Sequence, residues 1–460
     1  MKLPPGVSAF LSRRLLDRRD GHRGRVLAAL AAARAHDRLD RAALDAARDR
    51  ALYDLLRHAA ARVPRFRGLP VPAQPAEARA VLANWPVMTR ADLQREPSAF
   101  LDPQAGPTVA DATGGSTGTP MSFQVDRPTQ IAREASLMWA DGLGGWDLGQ
   151  RIAMLWGADR DVQLAHRSWR GGLRLLIENR RWYNAFDMGP ERMAEYHRCM
   201  TAFQPHLLVA YAGSLDVFAR WLDSTGQRPT YPLGALVSSA EMLAPEVRQR
   251  VERVFGRPVF DRYGNRETGA IAAECVAHQG LHINEADFLV EVLSPDPYRQ
   301  PGPLVVTYFP NRAHPFIRYD TGDVGVLLPP GHCACGRFTT RLARIVGRQS
   351  DTIRTPGGRW IHGEYFTHLL YGTDAVRAFQ FVQERPDRYC LRLQAAASDC
   401  CAREADWLAR IRAEVGEGAA VRIEYVDHIP VTASGKRKFV ISLVSGCDDV
   451  LSSAHLAGGP

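Results

Sequence analysis

A short run of glycines and hydroxyl side chains is the part of this sequence that points most directly to chemistry. Residues 113–120 read Thr-Gly-Gly-Ser-Thr-Gly-Thr-Pro, and the following residues 121–125 are typical of a strand. Glycines allow backbone N–H groups to approach a bound anion, and hydroxyl groups donate further hydrogen bonds to it. The run therefore predicts a phosphate-binding loop that includes Thr113, Ser116, Thr117 and Gly118. The alternative is an ordinary polar turn between two strands.

Two later segments combine aromatic and acidic side chains. Residues 261–268 follow a predicted strand and contain Tyr263, Gly264 and Glu267. Ligands bind at the ends of strands in open α/β sheets, and here an aromatic ring could stack on a base while a carboxylate binds Mg²⁺. In residues 318–323, the carboxylate of Asp323 follows a glycine turn and can accept hydrogen bonds from ribose hydroxyls. A charged surface turn and a Thr-Gly-Asp hairpin are the respective alternatives.

Two segments nearer the C-terminus carry basic side chains. Arg348 follows Gly347, and its guanidinium suits ribose or phosphate oxygens. Lys436 follows Ser434-Gly435 on a predicted loop. An ammonium group delivered into a phosphate site would stabilise negative charge in a displacement transition state. A solvated charged turn and an ordinary surface lysine are the alternatives.

These segments lie within a recognisable pattern of elements. Residues 105–265 alternate short apolar strands with helical stretches, which predicts parallel βαβ units. Helices are predicted over residues 1–70, and short strands over 280–346. We therefore expect an α/β fold with a large, multi-sheet N-terminal domain over residues 1–346. A small mobile α+β domain over 347–445 and a disordered tail over 446–460 are expected to follow it.

Composition narrows the class of protein. The 460 residues carry a formal net charge of +8, but the basic N-terminal region lacks the interleaved aromatics of a nucleic-acid surface, so no nucleic-acid partner is expected. The sequence has neither an apolar run long enough to span a membrane nor a secretory signal, which predicts a cytoplasmic protein without a membrane partner. Eight cysteines, unevenly spaced, do not indicate a disulfide framework.

The order of the motifs resembles the ANL superfamily of adenylate-forming enzymes, and within it the phenylacetate-CoA ligase-like branch, which includes CapK-type proteins. The resemblance extends from the helix at residues 55–59 to Lys436. It implies two half-reactions. A carboxylate attacks the α-phosphate of ATP and releases pyrophosphate, and an acceptor then takes the acyl group from the acyl-adenylate. The motifs that carry it are Thr113–Pro120, Tyr263–Glu267, Tyr319–Asp323, Gly347–Arg348 and Ser434–Lys436.

The resemblance implies roles for the nucleotide-binding residues. Ser116 and Thr117 would hold the β- and γ-phosphates, and Glu267 would bind Mg²⁺. Tyr263 would pack near adenine, and Asp323, supported by Arg348, would hold the ribose. The adenine wall would also include Ser239, Ala240 and Gly264.

Further roles concern the acid and the second half-reaction. Lys436 would enter during adenylation and leave when the C-terminal domain rotates about a hinge near Ser350. Two residues depart from the family pattern: Thr119 stands where many relatives have a lysine, and Ser350 where many have an acidic residue. The acid pocket is expected to include Tyr211, Ala212, Gly213 and Ser238.

A second cluster of side chains suits a metal ion. Cys275, His278, Cys333 and Cys335 supply three thiols and an imidazole, which is a donor set for tetrahedral Zn²⁺. His282 or His332 could replace His278 as the fourth ligand. The alternative is a set of reduced, partly buried cysteines.

The sequence thus predicts an ATP- and Mg²⁺-dependent ligase that activates an aryl or other small carboxylic acid. Coenzyme A is the expected acceptor, and a homodimer is a possible assembly. Two alternatives stay open. One is an adenylating enzyme that transfers to an amine, a hydroxyl or a carrier protein, and the other is a nucleotide-binding relative without turnover.

Overall fold

The computed structural model describes residues 3–14, 22–113, 121–157, 173, 175–348, 352–357, 360–362, 365–366, 369–370, 373, 375–376, 378–429 and 440–444. The helices are α1 (Pro5–Arg14), α2 (His22–His36), α3 (Arg41–Arg62), α4 (Ala78–Leu82), α5 (Arg90–Arg95), α6 (Arg127–Leu143), α7 (Pro190–Phe203), α8 (Ala212–Ser224), α9 (Pro245–Phe255) and α10 (Cys401–Val415). No described helix is long and apolar enough to cross a membrane.

The strands, in chain order, are β1 (Thr108–Ala112), β2 (Ser122–Asp126), β3 (Ile152–Trp156), β4 (Arg180–Asn184), β5 (Leu207–Ala210), β6 (Ala235–Ser239), β7 (Val259–Asn265), β8 (Gly269–Glu274), β9 (Leu281–Ile283), β10 (Phe288–Val292), β11 (Gly302–Tyr308), β12 (Tyr319–Leu327), β13 (Arg341–Arg348), β14 (Thr352–Arg354), β15 (Trp360–His362), β16 (Ala378–Arg385), β17 (Arg388–Gln394), β18 (Ala420–Tyr425) and β19 (Val440–Ser442).

One large sheet contains both the parallel strands predicted over residues 105–265 and the short strands predicted over 280–346. Its strand order is β10-β11-β12-β13-β9-β8-β7-β6-β5-β3-β4. Neighbours among β4, β3, β5, β6 and β7 pair in parallel, as the βαβ pattern predicts. Neighbours among β7, β8, β9, β13, β12, β11 and β10 pair antiparallel. The mostly-β region predicted over residues 280–346 is therefore continuous with the parallel strands through β8 and β9.

Helices cover both faces of the parallel half, which explains why its strands are apolar on both sides. Leu208 and Ala210 of β5 pack with the core that contains α7, α8 and α9. Leu207 and Val209 alternate with them and pack with α2 and α6 on the opposite face. A third core joins α3 to hairpin β1–β2 and to the antiparallel strands.

A smaller sheet forms the C-terminal part of the chain, with the order β18-β17-β16-β19. Helix α10 packs on it through Trp407, Ile411 and Val415, all of which are buried in one hydrophobic cluster. This sheet is separate from the large one, so the predicted α/β fold with a small C-terminal α+β part is confirmed. The predicted hinge near Ser350 and the predicted tail over residues 446–460 lie outside the described residues.

A buried ion pair joins α6 to the central strand β7. The Arg262 Nη1 donates to Asp141 Oδ1 at 2.8 Å, and both side chains are less than a tenth exposed. Burial raises the pKa of Asp141, and the Arg262 charge opposes that shift. The Arg262 Nε also donates to Ser239 Oγ at 3.2 Å. The pair therefore fixes the end of β6 as well as the position of β7.

We expect Arg262→Met to destabilise the protein by about 3–5 kcal/mol, because it leaves the Asp141 carboxylate buried without its partner. The matched control is Arg253→Met, which breaks an exposed pair with Asp223 and should cost about 0–1 kcal/mol. Urea unfolding of the two variants measures the difference. Equal effects of the two substitutions would contradict the structural role of the buried pair.

Candidate active site

Side chains from three motifs meet at the Asp323 carboxylate, which contacts Tyr263 and Arg348. The Tyr263 hydroxyl on β7 donates to Asp323 Oδ2 at 2.8 Å, and it lies 3.2 Å from Thr321 Oγ1. The Arg348 Nε lies 3.0 Å from Asp323 Oδ1. Burial and the neighbouring Asp323 charge raise the pKa of Tyr263 well above its ordinary value, so the phenol stays a neutral donor.

The Thr-Gly-Asp segment forms a bulge within β12 rather than a hairpin. Asp320 pairs with Val305 and Val324 pairs with Pro303, so residues 321–323 oppose a single residue of β11. Gly322 adopts φ +75°, and its N–H donates to Asp320 Oδ1. Bulges re-aim side chains at functional edges of sheets. Here the bulge includes Asp323, which pairs with Arg348 of β13.

Glu267 occupies the turn between β7 and β8. The Asn265 side chain closes this turn by accepting hydrogen bonds from the N–H and the hydroxyl of Thr268, and the Arg266 Nε donates to Asp111 Oδ1 of β1 at 3.2 Å. Glu267 itself is buried and accepts a hydrogen bond from the Tyr319 hydroxyl at 3.1 Å. A buried carboxylate at a strand end is chemically suited to hold a cation.

The charge of Glu267 is set by opposing influences. Burial, the largest of them, raises the pKa of its carboxyl. A backbone N–H, the Tyr319 hydroxyl and the positive charges of Arg348 and Arg90 oppose that rise. A bound divalent cation would favour the ionised form further.

The glycine-rich run begins and ends within hairpin β1–β2. The Thr113 N–H donates to the Met121 carbonyl, and the Met121 N–H donates to Thr113 Oγ1, both at 3.0 Å. The Tyr319 hydroxyl, which also binds Glu267, lies 4.0 Å from Met121 Sδ. Thr113 and Met121, which form the base of the loop, are thus linked to Glu267 through Tyr319. Ser116, Thr117, Gly118 and Thr119 lie outside the described residues.

Gly264 is required by the close approach of two strands. A Cβ at this position would lie 2.3 Å from the carbonyl oxygen of Gly269. The register of β7 against β8 also shifts between Tyr263 and Gly264. Any larger residue would push these strands apart, and Tyr263 and Glu267 would move with them.

The predicted adenine wall lies at the carboxyl end of β6. Ser238 and Ser239 pair with Asp261 and Arg262 of β7, and both serines are buried. The next residue, Ala240, is exposed and adopts φ +66°. A non-glycine residue in this conformation is strained, and such strain concentrates at functional sites.

The predicted acid-pocket residues follow β5 at the same edge of the sheet. The Tyr211 ring lies 4.2 Å, centroid to centroid, from the Trp156 ring at the end of β3. The Gly213 N–H, in the first turn of α8, donates to Glu241 Oε2 at 2.8 Å. Ala212, the first residue of α8, lies between Tyr211 and Gly213 in the sequence, and its side chain is buried. Carboxyl ends of adjacent parallel strands form the ligand-binding edge of α/β sheets.

Sequence reasoning missed three residues that contact these groups: Tyr319, Glu241 and Arg90. Tyr319 belongs to a recognised motif, but only the register of β12 shows that its hydroxyl reaches Glu267. Glu241 lies two residues after the end of β6 and Arg90 is the first residue of α5, and no sequence signal relates either residue to its partner. Lys436 lies outside the described residues.

The cysteine cluster is formed by residues from both sides of β9. The ligand atoms of Cys275, His282, Cys333 and Cys335 all lie within 4.8 Å of one another. The two sulfurs of Cys275 and Cys333 are 3.8 Å apart, and Cys335 Sγ is 3.4 Å from His282 Nε2. A tetrahedral Zn²⁺ with bonds of about 2.3 Å to sulfur separates its ligand atoms by about 3.8 Å, so the spacing is compatible with zinc.

The prediction of His278 as the fourth member is wrong, and His282 takes that place. The His278 N–H donates to the Cys275 carbonyl in a tight turn with φ +47° at His278. This turn directs the His278 ring to the ring of Phe260, 4.8 Å away, and its Nδ1 lies 3.3 Å from Glu274. His282, by contrast, lies on β9, and its Nδ1 is 2.7 Å from Thr339 Oγ1, which leaves Nε2 toward the thiols.

Comparisons with known proteins find relatives of this chain in sequence. Residues 353–443 match the family model of the CapK C-terminal domain. Protein CapK of Staphylococcus aureus is 24% identical over 370 residues, which cover 78% of this chain and 79% of that protein. A phenylacetate-coenzyme A ligase of Thermus thermophilus is 30% identical over 192 residues, which cover 40% of this chain and 43% of that protein.

A solved structure shares the fold over nearly the whole chain. A 2-hydroxyisobutyryl-CoA ligase in the postadenylation state, in complex with R3-HIB-AMP, aligns with a TM-score of 0.64 at 19% identity. The alignment covers 92% of this chain and 94% of that one. The same ligase in an open conformation, with 2-HIB-AMP and CoA, aligns with a TM-score of 0.61 at 20% identity.

Proposed function

We infer from its similarity to CapK and the phenylacetate-CoA ligases that the chain is an adenylate-forming enzyme of the ANL superfamily, and we propose that it activates a carboxylic acid with ATP. The acid's carboxylate oxygen bonds to the α-phosphorus, pyrophosphate leaves, and an acyl-adenylate remains. The acyl group then passes to an acceptor, for which coenzyme A is the first candidate.

One observation carries this proposal. Residues from motifs far apart in the sequence meet at one edge of the sheet, where the Asp323 carboxylate joins Tyr263 and Arg348. Glu267, in the turn that follows β7, is linked through Tyr319 to the base of the glycine-rich loop. A ribose, an adenine, a metal ion and phosphates are the groups that these side chains suit together.

The roles follow from the chemistry of each group. Asp323 and Arg348 would bind the ribose, and Tyr263 would pack against adenine beside Ser239 and Ala240. Ser116 and Thr117, with the loop amides, would bind the outer phosphates. Glu267 would hold Mg²⁺, which when bound neutralises phosphate charge during the displacement.

The acid would lie between β3 and β6, against the adjacent rings of Trp156 and Tyr211. Aromatic rings supply large apolar area, and a small aryl acid would suit them. Ala212, Gly213 and Ser238 would complete this wall.

The acceptor step depends on the C-terminal domain, which we place at residues 347–445. Rotation of this domain about a hinge near Ser350 would move Lys436 out of the site and allow the acceptor to enter it. Relatives named as CoA ligases favour coenzyme A. Transfer to an amine, a hydroxyl or a carrier protein is the second candidate.

Exchange of labelled pyrophosphate into ATP, measured across a panel of aryl and small aliphatic acids, tests the activation step. We expect exchange that requires both Mg²⁺ and one class of acid. ATP binding without exchange for any acid would support a nucleotide-binding protein without turnover. Mass spectrometry of the products with coenzyme A tests the thiol acceptor, and hydroxylamine, which reacts chemically with any acyl-adenylate, detects the adenylate itself.

Lys436→Ala is expected to reduce adenylation by a factor of about a hundred or more, because it removes a cation from the displacement transition state. Thioester formation from a preformed acyl-adenylate should be nearly unchanged, since that step does not displace pyrophosphate. Single-turnover assays of the two half-reactions measure both effects. An equal fall in both would contradict the role of Lys436.

Tyr319→Phe is expected to move the acid limb of Mg²⁺-dependent exchange to higher pH. The Tyr319 hydroxyl stabilises the ionised Glu267, so its removal raises further a pKa that burial has already raised. Glu267 would then be protonated, and would lose Mg²⁺, at a higher pH as the solution is acidified. The pH profile of exchange measures the shift.

Tyr308→Phe is the matched control for this experiment. The Tyr308 hydroxyl is also buried, but it has no hydrogen-bond partner among the described residues. Its removal should leave the acid limb in place. The same shift in both variants would show that Tyr319 does not act through Glu267.

We also propose that the cluster of Cys275, His282, Cys333 and Cys335 binds a structural Zn²⁺. Burial lowers the pKa of His282 to about 3, so the imidazole is neutral and able to bind a metal. The Arg337 Nη1 lies 3.4 Å from Cys335 Sγ, and its Nε donates to Asp37 Oδ2 at 3.0 Å. A metal here would join the loops on both sides of β9.

Elemental analysis of protein purified without chelators should find about one zinc per chain. His282→Gln and Cys333→Ser should lose the metal, while His278→Gln, the matched control, should keep it. A zinc content near zero in the unsubstituted protein would refute the site. Loss in His278→Gln with retention in His282→Gln would refute the assignment of the fourth ligand.

A further inference from the structure

We propose that Arg90, the first residue of α5, binds the outer phosphates of ATP and the pyrophosphate that leaves. This inference rests on the proposed function, because it assigns a residue to the phosphate end of the same site. It concerns a side chain more than twenty residues before the glycine-rich loop.

The backbone before Arg90 is attached to the site by strand pairing. Met88 forms a parallel bridge with Tyr319, the first residue of β12. The Met88 N–H donates to the Arg318 carbonyl, and the Asp320 N–H donates to the Met88 carbonyl, both at 2.9 Å. This segment therefore moves with Tyr319, whose hydroxyl binds Glu267.

A capping box then fixes the direction of the chain. The Thr89 hydroxyl accepts from the Asp92 N–H, and the Asp92 carboxylate accepts from the Thr89 N–H at 3.0 Å. Reciprocal capping of this kind holds the first residues of a helix in place. Arg90 is the first residue of α5, so its Cα position is fixed relative to β12.

The guanidinium of Arg90 reaches the base of the glycine-rich loop. Its Nη2 donates to Thr113 Oγ1 at 3.0 Å. Tyr319 and Glu267 form a hydrogen-bonded pair nearby, and the positive charge of Arg90 opposes the rise in the pKa of both groups. Arg90 thus binds the residue that precedes the loop, and its charge acts on the proposed Mg²⁺ ligand.

The phosphate end of the site needs such a cation. The triphosphate carries several negative charges, yet residues 114–120 contain no charged side chain. Two other arginines near the hairpin, Arg133 and Arg266, bind the Asp111 carboxylate. Arg348 lies at the Asp323 end. Arg90 contacts Thr113 directly, where a guanidinium can bind phosphate oxygens with charge-assisted hydrogen bonds.

Calorimetric titration of the full chain with Mg·ATP and, separately, with AMP tests the assignment. Arg90→Gln should weaken binding of Mg·ATP by about tenfold or more, because it removes a charge-assisted contact. Its affinity for AMP, which lacks the outer phosphates, should change less than about twofold. Arg90→Lys, which keeps the charge, should recover much of the affinity for Mg·ATP.

Arg95→Gln is the matched control, since Arg95 lies on the same helix with its side chain 69% exposed and paired with Asp92. It should bind both nucleotides like the unsubstituted protein. Equal losses for Mg·ATP and AMP in Arg90→Gln would show a purely structural role, and no loss of Mg·ATP affinity would show no role; either result overturns the proposal. A failure of the proposed function itself looks different, because the unsubstituted protein would then show no pyrophosphate exchange with any acid.

Discussion

Strand β7 is hydrogen-bonded to a parallel neighbour on one side and to an antiparallel neighbour on the other, and the site depends on this change of direction. On the parallel side, β3, β5 and β6 end at one edge, where Trp156, Tyr211 and Ala240 lie. On the antiparallel side, β12 and β13 bring Asp323 and Arg348 to Tyr263. The Gly264 backbone approaches Gly269 too closely for any side chain, so the point of change is fixed by a single residue type.

Charges are arranged around this strand with their partners close by. Inside, Asp141 and Arg262 pair between α6 and β7. At the edge, Asp323 is shared by a phenol and a guanidinium, while Glu267 is buried beside a single phenol. Burial raises the pKa of Glu267 more than its hydrogen bonds and the charges of Arg348 and Arg90 lower it, and a buried carboxylate of this kind suits a place where a cation binds. The loop that would surround the phosphates has no charge of its own, so positive charge must come from elsewhere in the fold.

Much of the fold and of the site follows from the sequence, and the exceptions have physical reasons. The alternation of strands and helices predicts the parallel half, and the motifs predict that Tyr263, Glu267, Asp323 and Arg348 act together. The union of the two halves in one sheet depends on strand pairings distant in sequence, which local patterns do not record. The exchange of His278 for His282 depends on a turn with positive φ and on the direction of β9, and the contact of Arg90 with Thr113 depends on the Met88–Tyr319 bridge.

The central claim is that a carboxylate attacks the α-phosphate of ATP, and isotope transfer tests it most directly. An acid that supports pyrophosphate exchange is labelled with ¹⁸O in its carboxyl group and converted with ATP and the acceptor under single-turnover conditions. The account predicts that one ¹⁸O atom appears in AMP, because the carboxylate oxygen that bonds to the α-phosphorus remains on it when the acyl group leaves. Label in inorganic phosphate, with ADP as the nucleotide product, would mean attack on the γ-phosphate and would contradict the account.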